Sequence, residues 1–199
     1  MGGKKDYQQI FMQHGGIMRT KELLEAGVSY AALQKLIEAG DVEKVRYGYY
    51  QWQDEKAFTE ASAVTALFPD AIICGPSALM YYDYTDRVPQ EWHLAVDGRT
   101  ERRKFKTASP KVKPHFIEPQ RLNIGMTKGE IDGVPVKIYD RERVMCDCLR
   151  HVNTMDGEIY NTAIKRYIQD DNKNPARLME YAKILGVENK ARRTIGIWL

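Results

Sequence analysis

Gln34 and Lys35 lie in a stretch where Leu33, Leu36 and Ile37 repeat at helical spacing, and they fall on the opposite side together with Tyr30, Ala31 and Glu38. Such a face can read nucleic acid. The Gln34 amide is competent for two hydrogen bonds to adenine, Lys35 for guanine or phosphate, and the Ala31 methyl for contact with a thymine methyl. A few residues on, Lys44 and Arg46 stand in Val42-Glu43-Lys44-Val45-Arg46-Tyr47-Gly48-Tyr49-Tyr50, where cations can neutralise phosphates. A second cationic run, Arg99 to Lys113, holds seven Lys and Arg against Glu101 alone, with Arg102, Arg103, Lys104 and Lys106 at its densest part. That run suits a phosphate or RNA contact as well as it suits a solvated, solubilising surface.

Local chemistry defines the elements that would position these groups. Tyr7, Ile10 and Phe11 recur at helical spacing and stop at Gly15-Gly16, giving a first helix. Thr20 is expected to cap a short second helix through Leu23 and Leu24 to Gly27, and Ser29 to cap the third, which Gly40 ends. Only Gly27-Val28-Ser29 separates the two helices, a spacing typical of a helix-turn-helix. The alternation of Val42, Lys44 and Arg46, a turn at Gly48, then Tyr49 and Tyr50 predict a hairpin wing with cations toward its tip. Residues 1–53 carry seven Lys and Arg against six Asp and Glu, so a protein-docking role is open beside DNA binding. Placement of the cations on the third helix and wing favours DNA.

The rest of the chain predicts an α+β second domain, so the fold class is a winged helix-turn-helix domain at 1–53 followed by a mixed α/β domain at 57–199 with a helical end. Phe58, Ala61, Val64, Thr65 and Phe68 pattern as a helix, Ala71–Cys74 as a strand, and Gly75-Pro76-Ser77 as a turn opening another helix. Strands follow near 92–97, 112–117, 124–131 and 134–139, with Asp132-Gly133 as a tight turn between the last two. The basic run is expected as a loop or hairpin tip between two of them. Helical faces then form at Val144, Met145, Cys148, Leu149 and Val152, at Ile159 to Ile168, and after Asn174-Pro175 up to Gly186.

Enzyme chemistry finds little support. Gly75 and Ser77 with Asp83 and Asp86 suggest nucleotidyl transfer, but two metal-sharing carboxylates belong side by side on a strand. Glu188-Asn189-Lys190 has no strand to aim it at a metal. His14, His93, His115 and His151 are scattered, and His93, alternating within a strand, is expected to be structural. In Asp140-Arg141-Glu142-Arg143, Asp140 is placed as an N-cap and the others as a solvated helix side. Cys74, Cys146 and Cys148 pattern as buried thiols, without zinc-ligand spacing. No cofactor or metal is expected, and catalytic residues are expected to be absent.

The chain has 199 residues with a net charge of +3, which conceals −6 over residues 54–98 and +8 over residues 99–199. With 43% hydrophobic and 29% charged residues it reads as a soluble globular protein. It offers no run of about 18 apolar residues and no signal-peptide pattern, so a cytoplasmic location away from membranes is expected.

The ordered segments Gly27 to Leu36, Val45 to Tyr50, Gly75 to Leu79, Trp92 to Val96 and Val136 to Asp147 together resemble the AbiEi antitoxins. The resemblance runs over nearly the whole chain. It implies a type IV toxin–antitoxin system used in abortive infection against phage. The antitoxin would repress its own operon, through inverted repeats in the promoter. Its C-terminal domain would counteract a nucleotidyltransferase-like toxin without forming a stable complex. The family's DNA-contacting surface maps onto Ser29, Tyr30, Gln34 and Lys35 of the third helix and Lys44, Arg46 and Tyr47 of the wing. A plain winged-helix regulator is the alternative, and a nucleic-acid-modifying enzyme a more distant one.

Overall fold

The computed structural model describes residues 4–53, 59–107 and 109–196, and it has an α+β architecture. Two compact units divide it. The first comprises Met1–Pro69, Arg102–Lys111 and Asp132–Val134, and the second Asp70–Glu101, Val112–Ile131 and Pro135–Leu199. Residues 60–67 and the basic run from 102 to 111 therefore pack with the first unit, whereas the sequence division at 53/57 assigns both to the second domain. Position 57 and Phe58, expected at the start of that domain, lie outside the described residues.

The first unit is built from α1 (Lys4–Gln13), β1 (Ile17–Arg19), α2 (Thr20–Glu25), α3 (Tyr30–Glu38), β2 (Val42–Arg46), β3 (Tyr49–Trp52) and α4 (Glu60–Leu67). Its sheet is antiparallel in the order β1-β3-β2. Phe11, Met18, Leu23, Val28, Leu33, Leu36, Val42 and Trp52 make one core, with the Phe11 and Trp52 rings 5.6 Å apart. Each large side chain in such a core contributes about 1.5–3 kcal/mol by leaving water. Strand β1 is an addition to the sequence expectation, since three residues are too few to show a period. Thr20 is not the cap of α2. Arg19 holds that position, and its backbone N–H donates to the Glu22 carboxylate at 2.7 Å. The Thr20 N–H and hydroxyl both donate to the Gly48 carbonyl instead, at 2.9 and 3.3 Å, tying α2 to the wing turn.

The second unit continues with β4 (Ile72–Ile73), α5 (Gly75–Tyr81), β5 (Trp92–Asp97), β6 (Val112–Ile117), α6 (Pro119–Leu122), β7 (Met126–Ile131) and β8 (Val134–Tyr139). Four helices follow: α7 (Arg141–Arg150), α8 (Gly157–Gln169), α9 (Pro175–Ile184) and α10 (Glu188–Thr194). The sheet order is β6-β5-β4-β8-β7, with β4 antiparallel to β5 but parallel to β8. Strands β5 and β6 are parallel, from Trp92 opposite Val112 to Asp97 opposite Ile117. The basic run between them is thus a crossover with a 3₁₀ turn at Arg102–Phe105 and no hairpin tip, because parallel neighbours need a long connection.

Helix α7 packs against α5, α8, α9 and α10, and this position overturns the solvated reading of its first turn. Asp140 is the N-cap, accepting from the Arg143 N–H at 2.9 Å, but Glu142 and Arg143 are only 3% and 2% exposed. Arg143 lies over the Tyr139 ring, pairs with Asp147, and donates to the carbonyls of Arg121 and Ile124 at 2.8 and 2.7 Å. Glu142 accepts from the Asn174 N–H at 2.8 Å, and Arg141 pairs with Asp170 at 2.8 Å. Burial opposes ionisation of Asp170, yet the Tyr84 hydroxyl, the Asn172 N–H and Arg141 outweigh it and hold its carboxyl at about 2. Gly125 makes the approach of α7 possible. Its φ is +75°, which delays β7 to Met126, and a Cβ there would lie 2.4 Å from the Arg143 Cβ.

Two expectations follow for stability. Gly125→Ala should cost at least about 2 kcal/mol, since left-handed strain and a backbone-level clash add, whereas Gly133→Ala, strained at φ +77° but in open space, should cost about 1. Urea unfolding of both variants reads the difference. A depressed carboxylate contributes stability above its unfolded value near 4 that is lost as pH falls toward 2. The destabilisation by Asp170→Asn should therefore be full at pH 7 and shrink from about pH 4 downward, as followed by thermal melts across pH.

Candidate nucleic-acid interface

Helix α3 is set by its ends. The Ser29 hydroxyl accepts from the Ala32 N–H at 3.2 Å, and beyond the helix the Asp41 N–H returns to the Leu36 carbonyl at 2.9 Å past Gly40, whose φ is +75°. The preceding turn closes through the Val28 N–H to the Leu23 carbonyl at 2.8 Å. With Leu33 and Leu36 in the core, Tyr30, Ala31, Gln34, Lys35 and Glu38 are exposed. Ser29 is exposed but already engaged as a cap. The Gln34 amide donates to Glu38 at 3.1 Å across one helical turn, a bond it must exchange before meeting a base edge.

The wing departs from a regular hairpin. Lys44 faces Tyr50 while Arg46 faces Tyr49, so Val45 is an extra residue, buried in a bulge. Lys44 remains exposed with its ammonium 5.2 Å from the centre of the Tyr47 ring, and Tyr47 is 91% exposed. Arg46 does something else. Its guanidinium sits 3.9 Å from the centre of the Tyr49 ring and 5.4 Å from that of Phe68, and donates to the Lys104 carbonyl at 2.8 Å and, at the long limit, to that of Leu67. Phe68 in turn stacks on Phe105 at 5.2 Å.

Sequence reasoning placed Arg46 among the phosphate contacts and kept 102–106 as a separate surface. The structure brings them together. Arg46 anchors the 3₁₀ segment beside the wing, and Arg102, Arg103, Lys104 and Lys106 are exposed there within the same unit as Lys35, Lys44 and Tyr47. Nothing local announced this, because the partners are 21 and 58 residues from Arg46 in the chain. A unit that exposes amide, hydroxyl and cationic groups on one short helix and a cationic wing has the parts needed to hold a duplex.

Residues 5–51 match a family model described as "Transcriptional regulator, AbiEi antitoxin". This segment is similar to the regulator domain of AbiEi antitoxins. No curated protein matches the chain. The match covers nearly all of α1 through most of β3, hence both the helix-turn-helix and the wing.

The residues weighed for catalysis are engaged elsewhere. Asp86 pairs with Arg166, which also donates to the Asp83 carbonyl at 2.7 Å, and Glu188 pairs with Arg192 at 2.9 Å along α10. Ser77 accepts from the His93 N–H at 2.9 Å. The histidines are not all scattered, however: His93 Nδ1 and His115 Nε2 are 2.9 Å apart. Among the described residues no group of three metal-ligating side chains occurs, and no helix is long and apolar enough to cross a membrane. Cys74, Cys146 and Cys148 are free and buried, and burial pushes the Cys146 thiol up to about 12.

Arg46 and Lys44 should differ sharply on substitution. Arg46→Lys keeps the charge but loses the stacked, two-carbonyl geometry, and should destabilise by about 1–2 kcal/mol. Lys44→Ala, at the exposed wing, should move stability by less than about 0.5 kcal/mol. Equal urea midpoints for the two variants would contradict the anchoring role.

Proposed function

We propose that this chain is the antitoxin of a type IV toxin–antitoxin system. It represses its own operon by binding inverted repeats in the promoter. Ser29, Tyr30, Gln34 and Lys35 of α3 and Lys44 and Tyr47 of the wing contact DNA, and Arg46 holds the wing in place for them. Arg102, Arg103, Lys104 and Lys106 extend the phosphate contacts. The observation that carries the reading is the similarity to AbiEi antitoxins at 5–51, joined to exposure of these polar and cationic groups on α3 and the wing. Residues 57–199 act against a nucleotidyltransferase-like toxin, without a stable complex, in a bacterial cytoplasm during phage infection. A plain winged-helix regulator is the second reading, favoured by the family match ending at residue 51.

Full-length variants separate these readings. Lys35→Ala and Lys44→Ala should weaken binding to every duplex and each reduce the slope of log affinity against log salt by about 1, whereas Gln34→Ala should relax base preference. Reversing Lys104 and Lys106 should lower affinity with little change in melting, since exposed charges contribute little to stability. Promoter-reporter and growth-rescue assays with the cognate toxin should show repression lost and protection kept in the α3 and wing variants. Protection lost in step with repression would return the chain to a regulator acting through transcription alone.

A further inference from the structure

The second unit contains a cleft of about 670 Å³ that the DNA-binding reading does not use. Its lining is predominantly apolar and carries the imidazoles of His93, His115 and His151, the cations Lys113, Arg121, Arg143 and Arg150, and the carboxylates Glu118, Asp147 and Asp156, which pair with Arg121, Arg143 and Arg87 respectively. A volume of this size, apolar with a few convergent polar groups, is that of a small-molecule site. We propose that this cleft binds a planar organic anion, an aromatic ring bearing a carboxylate or phosphate, with its ring against the His93–His115 pair and its acid group at Lys113 and Arg121.

Three observations support this occupant. The His93 and His115 rings are stacked, 25° from coplanar with centroids 5.1 Å apart, and present a flat polarisable surface. Gly75 closes in on that pair without a side chain, since a Cβ there would stand 3.4 Å from His93 Nδ1. Of the cations, Arg150 is committed to the Leu185 carbonyl, whereas Lys113 and Arg121 are only loosely held. Lys113 is 3.5 Å from Glu91 and Arg121 is 3.5 Å from Glu118, exposed pairs of small energetic value that an incoming anion can replace. Burial, then His115 and Lys113, hold His93 down to about 4 against the opposing pull of Glu91. Burial, Lys113 and His151 lower His115 in the same way, again against Glu91. Burial disfavours a charge of either sign, but the part of the shift that comes from Lys113 marks a positive field that favours an anion. Once an anion is bound, the imidazoles protonate more readily, so binding should take up a proton and tighten as pH falls.

The test is calorimetric and thermal titration of the full chain with 5′-AMP, 5′-GMP and salicylate, beside inorganic phosphate, adenosine and benzamide. At least one ring-bearing anion should bind saturably and raise the melting temperature, while phosphate and the neutral rings do not. Which anion binds distinguishes a nucleotide from an aromatic carboxylate. For salicylate, whose charge is the same at both pH values, affinity should be greater at pH 5.5 than at pH 7.5, and His115→Gln should weaken that dependence. The double variant Lys113→Glu/Arg121→Glu, with both changes at partly exposed positions, should melt like the native chain and bind at least about tenfold more weakly, the effect of about 1.4 kcal/mol. No response to any ring-bearing anion, an equal response to phosphate, or unchanged affinity in the double variant would overturn the proposal. None of these outcomes depends on the DNA-binding reading.

Discussion

A guanidinium laid on a tyrosine ring and donating to loop carbonyls recurs in both units. In the second, Arg143 lies 4.0 Å from the centre of the Tyr139 ring and satisfies the carbonyls of Arg121 and Ile124, at and beyond the end of α6. Helix ends and loops leave such carbonyls without partners, and one buried without a partner costs roughly 1–3 kcal/mol. A buried cation carries its own desolvation cost, which Asp147 at the next turn offsets. Burial nonetheless pushes the Asp147 carboxyl up from its usual range, with Arg143 pulling it down. Among the described residues no buried side-chain nitrogen or oxygen lacks a partner, so this polar interior is complete.

Arg46 plays the same part in the first unit, and the consequence there concerns function. A wing that must meet phosphates at fixed spacing gains from being held before contact, because ordering it on binding would subtract from affinity. Thr20 fixes the turn from one side through the Gly48 carbonyl, and Arg46 fixes the strand from the other through Tyr49 and the Lys104 carbonyl. What the proposed surface loses in one free cation it regains in position. The anchored segment from 102 to 106 adds exposed charge beside the wing.

The features legible in the sequence were those governed by neighbours a few residues apart. The core faces of α1 and α3, the Ser29, Asp140 and Asn174 caps, and the Asp132-Gly133 turn follow from periodicity and local hydrogen bonding, and they stand in the structure. The errors share one cause. Arg143 looked solvated because its i, i+4 partner Asp147 is also what a surface helix would show, while the carbonyls that bury it are 19 and 22 residues away. The segment at 98–111 could be read as a loop or a hairpin tip, and the second option fails because strand direction, which composition does not settle here, is parallel. His93 and His115, 22 residues apart, meet only because β5 and β6 are parallel neighbours.

These cases suggest how to sort cations whose formal charge is identical. Arg143 and Arg46 place their donors on backbone carbonyls that have fixed positions, so releasing either guanidinium to a ligand would expose groups the fold must satisfy. Lys44 on the proposed DNA surface, and Lys113 and Arg121 at the cleft, hold no such obligation: their contacts are an aromatic face or an exposed carboxylate. An exposed ion pair exchanges partners at little cost, but a guanidinium committed to carbonyls does not. Formal charge alone would have kept Arg46 among the phosphate contacts. The direction of its hydrogen bonds assigns it to the framework and leaves recognition to the lysines around it.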